Sequence, residues 1–319
     1  MTPKTDHWSR RAECTSVAGI RFLLAVHRLF GRAPFLAVLA PVLLFYWATR
    51  PDLRRTSFAW LAAAGRPAAH REGLKRLAHF AEAMTDGFLA AAGRLKPSEL
   101  LVEGNELFRN DPPDRGCVIL TSHTGCREIL QVASGSATAH PIVVLQYTSH
   151  ARRFNELLSQ AGAPKANLRF FEVGEVTPAL ALELDDLVSR GAYLVIAGDR
   201  VPTGSEKATV ECPFFGRTAR FPSGGAFLAM LLKVPLRMMT ATRTDAPEGP
   251  RYRVRFETLA DDLSGPRSKR KARLEAVMRR YASRLESEMR AHPYDWFNFF
   301  DFWHPAQSRQ ASETRKHKY

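Results

Sequence analysis

The chain has 319 residues, 45% of them hydrophobic and 24% charged, a composition typical of a globular protein and not of a disordered one. Lys and Arg total 46 against 32 Asp and Glu, and the resulting net charge of +14 indicates an anionic partner. Because the sequence has neither zinc-finger spacing nor an aromatic RNA-binding signature, a membrane surface is favoured over nucleic acid. The four cysteines are scattered without a CxxC pair, which argues against a disulfide framework or a zinc site.

The N-terminal part of the chain combines positive charge with apolar residues. Over residues 1–32, arginines are interleaved with apolar positions at helical spacing, which predicts a basic amphipathic helix. Residues 33–49 carry no charge for 17 positions, a length at the lower limit for crossing a bilayer. Three interpretations follow: a short single anchor, a pair of helices lying in one leaflet, or a buried helix of a soluble domain. Tyr46 and Trp47 are typical of interface anchors and favour membrane contact.

The body of the chain alternates between short apolar runs and helical stretches. The pattern from Ser57 to Leu95 is helical, and beyond Pro97 strands and helices alternate, which predicts an α/β fold. The predicted strands are 118–121, 141–145, 168–173, 193–197, 236–242 and 252–259. The predicted helices in this part are 179–188, 224–232 and 269–290.

We therefore expect a mixed, mostly parallel sheet flanked by helices, behind an N-terminal membrane-associated helical segment. No internal repeat or Pro-rich linker divides the body. The expected organisation is an amphipathic, membrane-anchoring segment at 1–56, a catalytic domain at 57–305 and a basic tail at 306–319.

A pair of groups suited to acid–base chemistry follows the first strand of this domain, in the run SHTGCRE at residues 122–128. Five positions separate His123 from Glu128, and on a continuous helix this offset would turn the side chains about 140° apart. They can meet if His123 lies in the strand-to-helix loop and Gly125 makes a tight turn. A carboxylate on one imidazole nitrogen then leaves the other to accept a proton.

Other polar residues follow later elements of the predicted sheet. Asp199 and Arg200 come at the carboxyl end of the fourth strand, where open α/β sheets bind ligands. Arg200 is a candidate for holding an oxyanion or a phosphate, and equally for an ion pair with Asp199 or Glu211. Gly224 and Gly225 open a helix whose backbone N–H groups can hold an anion, with simple turn formation as the alternative.

The strand followed by Ser-His-x4-Glu resembles the motif of the lysophospholipid acyltransferase superfamily, in its branch of lipid A late acyltransferases. The resemblance extends over nearly the whole chain and includes GDR at 198–200, PFFGR at 213–217 and FPSGG at 221–225. The run HPYDWFNFFDFW at 292–303 looks like the acyltransferases of aryl polyene, flexirubin and xanthomonadin-type pigment clusters. Asp-Arg replaces the Asp-Gln frequent in the lipid A enzymes, and this aromatic run replaces their Trp- and Arg-rich signature. Both departures move the expected acceptor away from lipid A.

The resemblance implies transfer of a fatty or polyene acyl group from an acyl-carrier-protein or CoA thioester to a lipid or glycolipid acceptor. His123 would be the general base and Glu128 its orienting partner, without a cofactor or metal. The expected substrate-binding residues are Arg152, Asn155, Asp199, Arg200, Ser223 and Gly224. The expected location is the bacterial inner membrane, with the catalytic domain facing the cytoplasm and no nucleic acid as partner.

Two other classes of function are consistent with the sequence. A thioester or lipid hydrolase would use Ser122 or Cys126 as nucleophile, although no Gly-x-Ser-x-Gly elbow is present. A non-catalytic membrane adaptor would keep the same fold, and the intact His123 and Glu128 argue against it. The aromatic residues at 296–303 are predicted to line an acyl groove, to enter the membrane interface or to pack against the domain.

Overall fold

The computed structural model of the protein describes residues 17–91, 93–109, 111–112, 114–126, 129, 140–146, 168–172, 177–202, 207–244 and 249–303. Its helices are α1 (Val17–Phe30), α2 (Arg32–Thr49), α3 (Pro51–Ala63), α4 (His70–Ala91), α5 (Glu106–Arg109), α6 (Pro178–Ser189), α7 (Gly224–Leu232) and α8 (Arg270–Ala291). Its strands are β1 (Leu100–Glu103), β2 (Cys117–Thr121), β3 (Ile142–Gln146), β4 (Leu168–Glu172), β5 (Tyr193–Ala197), β6 (Thr209–Phe214), β7 (Arg217–Pro222), β8 (Leu236–Arg243) and β9 (Tyr252–Ala260).

Seven of these strands form one sheet in the order β1-β9-β8-β2-β5-β3-β4. Strands β8, β2, β5, β3 and β4 run parallel to one another, β9 is antiparallel to β8, and β1 is parallel to β9. Strands β6 and β7 form a separate antiparallel hairpin. The predicted fold class, a mixed and mostly parallel sheet flanked by helices, is confirmed.

The sequence patterns do not predict β1 or the β6–β7 hairpin. Strand β1 is a four-residue edge strand, too short for a clear alternation. The hairpin turn places Phe215 and Gly216 at φ values of 51° and 72°, and a two-residue turn with positive φ at both positions suits Asn-Gly far better than Phe-Gly. Pro213 inside β6 further weakens the strand signal.

The core lies on both faces of the sheet because successive side chains of a strand point to opposite sides. Leu120 belongs to a cluster shared with α7 and α8, whereas its neighbour Ile119 belongs to a cluster shared with α4. A Cβ on Gly225 would lie 2.5 Å from Leu120 and 2.7 Å from Ile196. The absence of a side chain at Gly225 therefore lets α7 lie directly against the centre of the sheet.

The N-terminal helices are packed through a small cluster, in which Val26, Phe35 and Leu39 are buried. Several large apolar side chains of α1 and α2 are exposed instead: Phe22, Leu29, Phe30, Val42, Leu44 and Phe45. Trp47, however, is buried and its Nε1 donates to Nδ1 of His70 at 3.0 Å. The interpretation of Trp47 as an interface anchor is wrong, because this side chain packs α2 against α3 and α4.

Within the described ranges, each helix taken alone falls short of the length and hydropathy needed to cross a membrane. The stretches Pro34–Thr49 and Pro51–Ala63 meet the requirement only jointly, and they are bent by 93° at the break between them. Helix α3 also runs across the predicted boundary between residues 56 and 57. Residues 1–16 and 304–319 lie outside the described residues, so the three-part organisation remains a prediction.

Candidate active site

Two adjacent parallel strands bring His123 and Asp199 together. Strands β2 and β5 are paired with Thr121 opposite Ala197. Each of the two site residues follows its strand by two positions, so both leave the sheet at the same height on neighbouring strands. The N–H of Gly198 donates to the Thr121 carbonyl at 2.8 Å and extends this pairing beyond the strands. The common register explains why side chains 76 positions apart meet at the carboxyl edge of the sheet.

The carboxylate of Asp199 holds His123 at two points. Its Oδ1 lies 2.7 Å from the imidazole Nδ1, and its Oδ2 accepts from the His123 backbone N–H at 3.0 Å. The Asp199 side chain is fully buried, whereas 19% of the His123 side chain is exposed. We assign the ring proton to Nδ1 because the carboxylate accepts there, which puts the lone pair of the neutral ring on Nε2.

Two further donors reach Asp199 from the C-terminal end of the chain. The indole Nε1 of Trp296 and the amide Nδ2 of Asn298 donate to its Oδ2 at 2.9 and 3.0 Å. Burial alone would raise the pKa of Asp199, but the charge and hydrogen bonds of His123, together with Arg200, hold that pKa well below its ordinary value. An ionised carboxylate therefore adjoins the imidazole. Its complete burial leaves no surface for the substrate contact expected from the sequence.

Residues 292–303, called the C-terminal segment below, close the site by pairing with the loop that carries His123. The N–H of Gly125 donates to the Asp295 carbonyl and the N–H of Phe297 donates to the His123 carbonyl, both at 2.8 Å. An antiparallel bridge lies between these two bonds. The loop and the segment thus form a short ribbon, which fixes the backbone of the imidazole-bearing residue from both sides.

The predicted tight turn at Gly125 is confirmed. Its φ is 48°, in the left-handed region that favours glycine. A Cβ at this position would lie 2.2 Å from the carbonyl oxygen of Ala241 in β8. Glycine is therefore required both by the backbone conformation and by the close approach of the neighbouring strand.

Arg76 of α4 supports the C-terminal segment from behind and is fully buried. Its Nη2 donates to the carbonyls of Trp296 and Asn298 at 2.7 and 3.0 Å, and its Nη1 donates to Ser57 Oγ at 3.1 Å. Burial lowers the pKa of Arg76 to about 9, which leaves the guanidinium charged at neutral pH. A charged group thus anchors the peptide carbonyls of the residues that donate to Asp199.

The aromatic residues of the C-terminal segment pack against the domain, the third of the alternatives considered from the sequence. Trp60 donates through Nε1 to the carbonyl of Pro293 at 2.6 Å, and its ring lies 4.5 Å from that of Trp296. The ring of Phe302 lies 4.6 Å from Trp296 in an edge-to-face arrangement. Trp296 itself is 1% exposed. The aromatic run therefore packs over the His123–Asp199 pair as part of the core.

Arg200 contacts the same segment. Its Nε donates to Asn298 Oδ1 at 2.7 Å and its Nη2 donates to the Phe297 carbonyl at 3.0 Å. Glu211, considered as an ion-pair partner of Arg200, instead pairs with Arg220 at 3.3 Å. Arg200 thereby ties the end of β5 to the C-terminal segment.

The remaining predicted substrate-binding residues fall into two groups. Ser223 precedes α7, and its hydroxyl donates to the Ala208 carbonyl at 3.0 Å. Gly224 beside it is exposed, and a Cβ at this position would meet no atom within 4 Å. Arg152 and Asn155 lie outside the described residues, as does Glu128, the predicted orienting partner of His123, and the roles of all three remain predictions. Among the residues that the structure covers, no group of three or more His, Cys, Asp or Glu side chains is arranged to hold a metal ion.

The nucleophiles of the alternative hydrolase are both inside the protein. Ser122 is fully buried, with its Oγ 3.1 Å from Thr124 Oγ1, and Cys126 is 1% exposed. A nucleophile must meet the thioester carbonyl directly. The burial of these two side chains therefore argues against the hydrolase interpretation.

Sequence reasoning missed the groups that hold Asp199. The C-terminal segment drew attention by its aromatic content, whereas its functional contacts come from an indole N–H and an amide N–H within that apolar run. Arg76 shares the inward face of α4 with Phe80 and Ala83, at spacings of four and seven residues. A charged residue inside an apolar helical stripe was the signal that could have identified it.

One comparison with known proteins gives a match. A family model described as bacterial lipid A biosynthesis acyltransferase matches residues 183–304. The chain is an acyltransferase. The match supports membership of the acyltransferase superfamily, with an acyl donor and a lipid acceptor as substrates. The matched residues include Asp199, Arg200 and the C-terminal segment, whereas His123 precedes them. A search of curated proteins gives no significant match.

Proposed function

We propose that this acyltransferase moves a fatty or polyene acyl group from an acyl-carrier-protein or CoA thioester to a lipid or glycolipid acceptor, with His123 as the general base. The observation that carries the proposal is the 2.7 Å contact between Nδ1 of a partly exposed His123 and the fully buried carboxylate of Asp199. A fixed imidazole with an ionised carboxylate behind it is suited to accept a proton and to be stabilised as imidazolium.

The proposed reaction is a direct transfer. Nε2 of His123 removes the proton from the acceptor hydroxyl or amine as its oxygen or nitrogen attacks the thioester carbonyl carbon. The tetrahedral intermediate collapses with cleavage of the carbon–sulfur bond, and the imidazolium returns the proton to the leaving thiolate. Asp199 remains ionised throughout and stabilises the imidazolium. No covalent enzyme intermediate is needed because the thioester is already activated.

Further roles rest on position and charge. The guanidinium of Arg200 lies beside the C-terminal segment at the site, and its positive charge supports stabilisation of the oxyanion of the intermediate. We reassign Asp199 from substrate binding to positioning of His123. We retain Glu128 as a proposed second carboxylate of the site. The proposed substrate contacts are Arg152, Asn155, Ser223 and Gly224.

We further propose that the enzyme works at the cytoplasmic face of the bacterial inner membrane. The exposed apolar side chains of α1 and α2, such as Phe30 and Phe45 at 66% and 63% exposure, support insertion into one leaflet. The net charge of +14 favours an anionic lipid surface. The aromatic run of residues 292–303 favours an acceptor of the pigment-cluster type over lipid A.

The test is transfer of labelled acyl groups from acyl-carrier-protein thioester into lipid extracted from membranes. We expect the label in lipid with the native enzyme and its loss with His123→Ala. His140→Ala is a matched control, since this imidazole bonds the Gly191 carbonyl at the start of β3, away from the carboxyl edge. Lipid labelling that survives His123→Ala would rule out the proposed base, and free fatty acid as sole product would favour a hydrolase.

A further inference from the structure

A basic cavity of about 230 Å³ opens beside the His123 loop. Its cationic and imidazole lining comes from different parts of the chain: Arg66, Lys75, His79, Arg243, Arg290 and His292. Arg66 follows α3, Lys75 and His79 lie on α4, Arg243 ends β8, and the last two belong to α8 and its C-terminal end. The folding of four separate elements is therefore needed to bring these charges to one place.

Asp295 connects this cavity to the active site. Its backbone carbonyl accepts from Gly125, two positions after His123. Its carboxylate accepts from the backbone N–H of Arg243 at 2.7 Å and lies 2.8 Å from Nδ1 of His79. Since β8 is the parallel neighbour of β2, the cavity lies at the same carboxyl edge of the sheet as the imidazole.

The cavity wall carries an excess of positive charge. Four permanent cations and the single carboxylate of Asp295 line it. Carboxylates behind the wall compensate part of this charge, since Glu72 lies 3.7 Å from Arg66, Glu82 lies 2.9 Å from Arg243, and Glu286 accepts from Arg290. Lys75 is the lining cation for which no carboxylate contact is found among the described residues. Lys75 lies 4.2 Å above the Tyr294 ring, a contact that orients its ammonium without neutralising it.

The size and charge of the cavity suit a phosphate and not an apolar acyl chain. The cavity is several times larger than the roughly 30 Å³ that one water occupies in the liquid, so it has room for a multi-atom anion. Guanidinium groups match the oxygens of a phosphate in a forked arrangement, and an apolar acyl chain gains nothing from such a lining. The side chains of Arg66 and Arg290 are 46% and 56% exposed, which allows both to turn toward a bound anion.

We propose that this cavity binds the phosphate group of one of the two substrates and so positions that substrate beside His123. The proposal rests on the proposed acyl transfer for its biological meaning, but the phosphate site can be tested without turnover. The phosphate can come from the phosphopantetheine arm of the thioester donor or from a phosphorylated headgroup of the acceptor. Both sources present a phosphate ester to the cavity.

The direct test measures binding of inorganic phosphate to the whole chain by isothermal titration calorimetry. Replacing Lys75 and Arg290 together by Gln should weaken binding by at least about tenfold, since two charge-assisted hydrogen bonds are lost. Arg284→Gln is the matched control, because Arg284 lies on the same helix, is 52% exposed and pairs with Glu257 outside the cavity. Lys75→Gln alone provides a second, milder variant, and thermal unfolding verifies that every variant folds.

Two pairs of probes separate the possible sources. Phosphopantetheine is compared with pantetheine, and glycerol 3-phosphate with glycerol; the phosphate-bearing member that binds more tightly identifies the donor or the acceptor. Equal binding with and without phosphate in both pairs, or equal affinities of the double variant and Arg284→Gln for inorganic phosphate, would overturn the proposal. Loss of acyl transfer in His123→Ala with intact phosphate binding keeps the two proposals distinguishable.

Discussion

The carboxyl edge of the sheet and the N-terminal helices differ in the surroundings of their side chains. At the sheet edge, Asp199 is buried with donors from His123, Trp296 and Asn298, and Arg76 binds the carbonyls behind them. On α1 and α2, large apolar side chains point outward over a cluster of only three buried residues within the described part of the chain. The polar groups of the first region are bonded within the protein, whereas the second region presents apolar side chains to its surroundings, as interaction surfaces do.

This difference separates the region that we propose for catalysis from the region that we propose for membrane contact. Buried polar groups are costly unless every partner is present, so a fully bonded carboxylate is a site that permits little variation. Exposed apolar side chains contribute little to the free energy of unfolding, so substituting them changes stability only slightly. Substitutions in the two regions should therefore differ in size and in the property they affect.

The largest effect is expected for Asp199→Asn. Without the carboxylate the imidazolium loses its stabilisation and the ring its orientation, so turnover should fall roughly a thousandfold to ten-thousandfold. Asp185→Asn, an exposed carboxylate on α6, is the matched control and should keep full turnover. Steady-state acyl transfer measures both. Normal turnover in Asp199→Asn together with an inactive Glu128→Gln would transfer the orienting role to Glu128.

The same variant gives a test of stability against pH. The pKa of Asp199 is lowered by folding, so its ionised form contributes to the free energy of unfolding above its unfolded pKa of about 3.9. That contribution is lost as the pH falls through the folded-state pKa. Urea denaturation gives the free energies of unfolding of the native protein and of Asp199→Asn. The difference between them should be largest near neutral pH and should decrease below about pH 4. A difference that does not change with pH would contradict an ionised Asp199 that stabilises the folded protein.

Arg76→Met should have the next largest effect. It leaves the carbonyls of Trp296 and Asn298 without their buried donor, at a cost of about 2 to 4 kcal/mol in the free energy of unfolding. Arg71→Met, at an exposed position of the same helix, should change it by less than about 0.5 kcal/mol. Urea denaturation gives both values, and a similar loss in the two variants would show that the carbonyl contacts are not what stabilises the segment.

Two neighbouring glycines test the packing beneath the site. Gly225→Ala brings a methyl group against Leu120 and Ile196 and should cost about 1 to 3 kcal/mol of stability. Gly224→Ala has open space and a helical position, so it should be neutral or slightly stabilising. Thermal unfolding compares them directly. Equal melting temperatures would mean that α7 can move away from the sheet without cost.

The smallest effect on folding is expected in the N-terminal helices. Phe45→Ser should change the free energy of unfolding by less than about 0.5 kcal/mol, yet weaken binding to vesicles of phosphatidylglycerol and phosphatidylethanolamine roughly tenfold. Phe35→Ser, on the buried side of the same helix, should instead destabilise the fold by about 3 kcal/mol. Vesicle sedimentation that is unchanged by Phe45→Ser would remove this face from membrane contact.

Much of the fold followed from local patterns in the sequence. Short apolar runs predicted the central strands, and helical spacing predicted α6, α7 and α8, because both periodicities reflect which face of an element is buried. The placement of His123 after β2 and the turn at Gly125 also followed from local signals. The hairpin was not predicted because Phe215 occupies a turn position that its residue type disfavours.

The contacts of His123 and Asp199 depended on the tertiary structure. The sequence by itself determined that His123 and Asp199 follow predicted strands, and that the chain resembles acyltransferases. Only the register of β2 against β5 brought Asp199 to Nδ1 of His123, and only the fold of residues 292–303 added Trp296 and Asn298. Local patterns record burial and turns, whereas hydrogen bonds between positions far apart arise from strand order and packing, which no local pattern encodes.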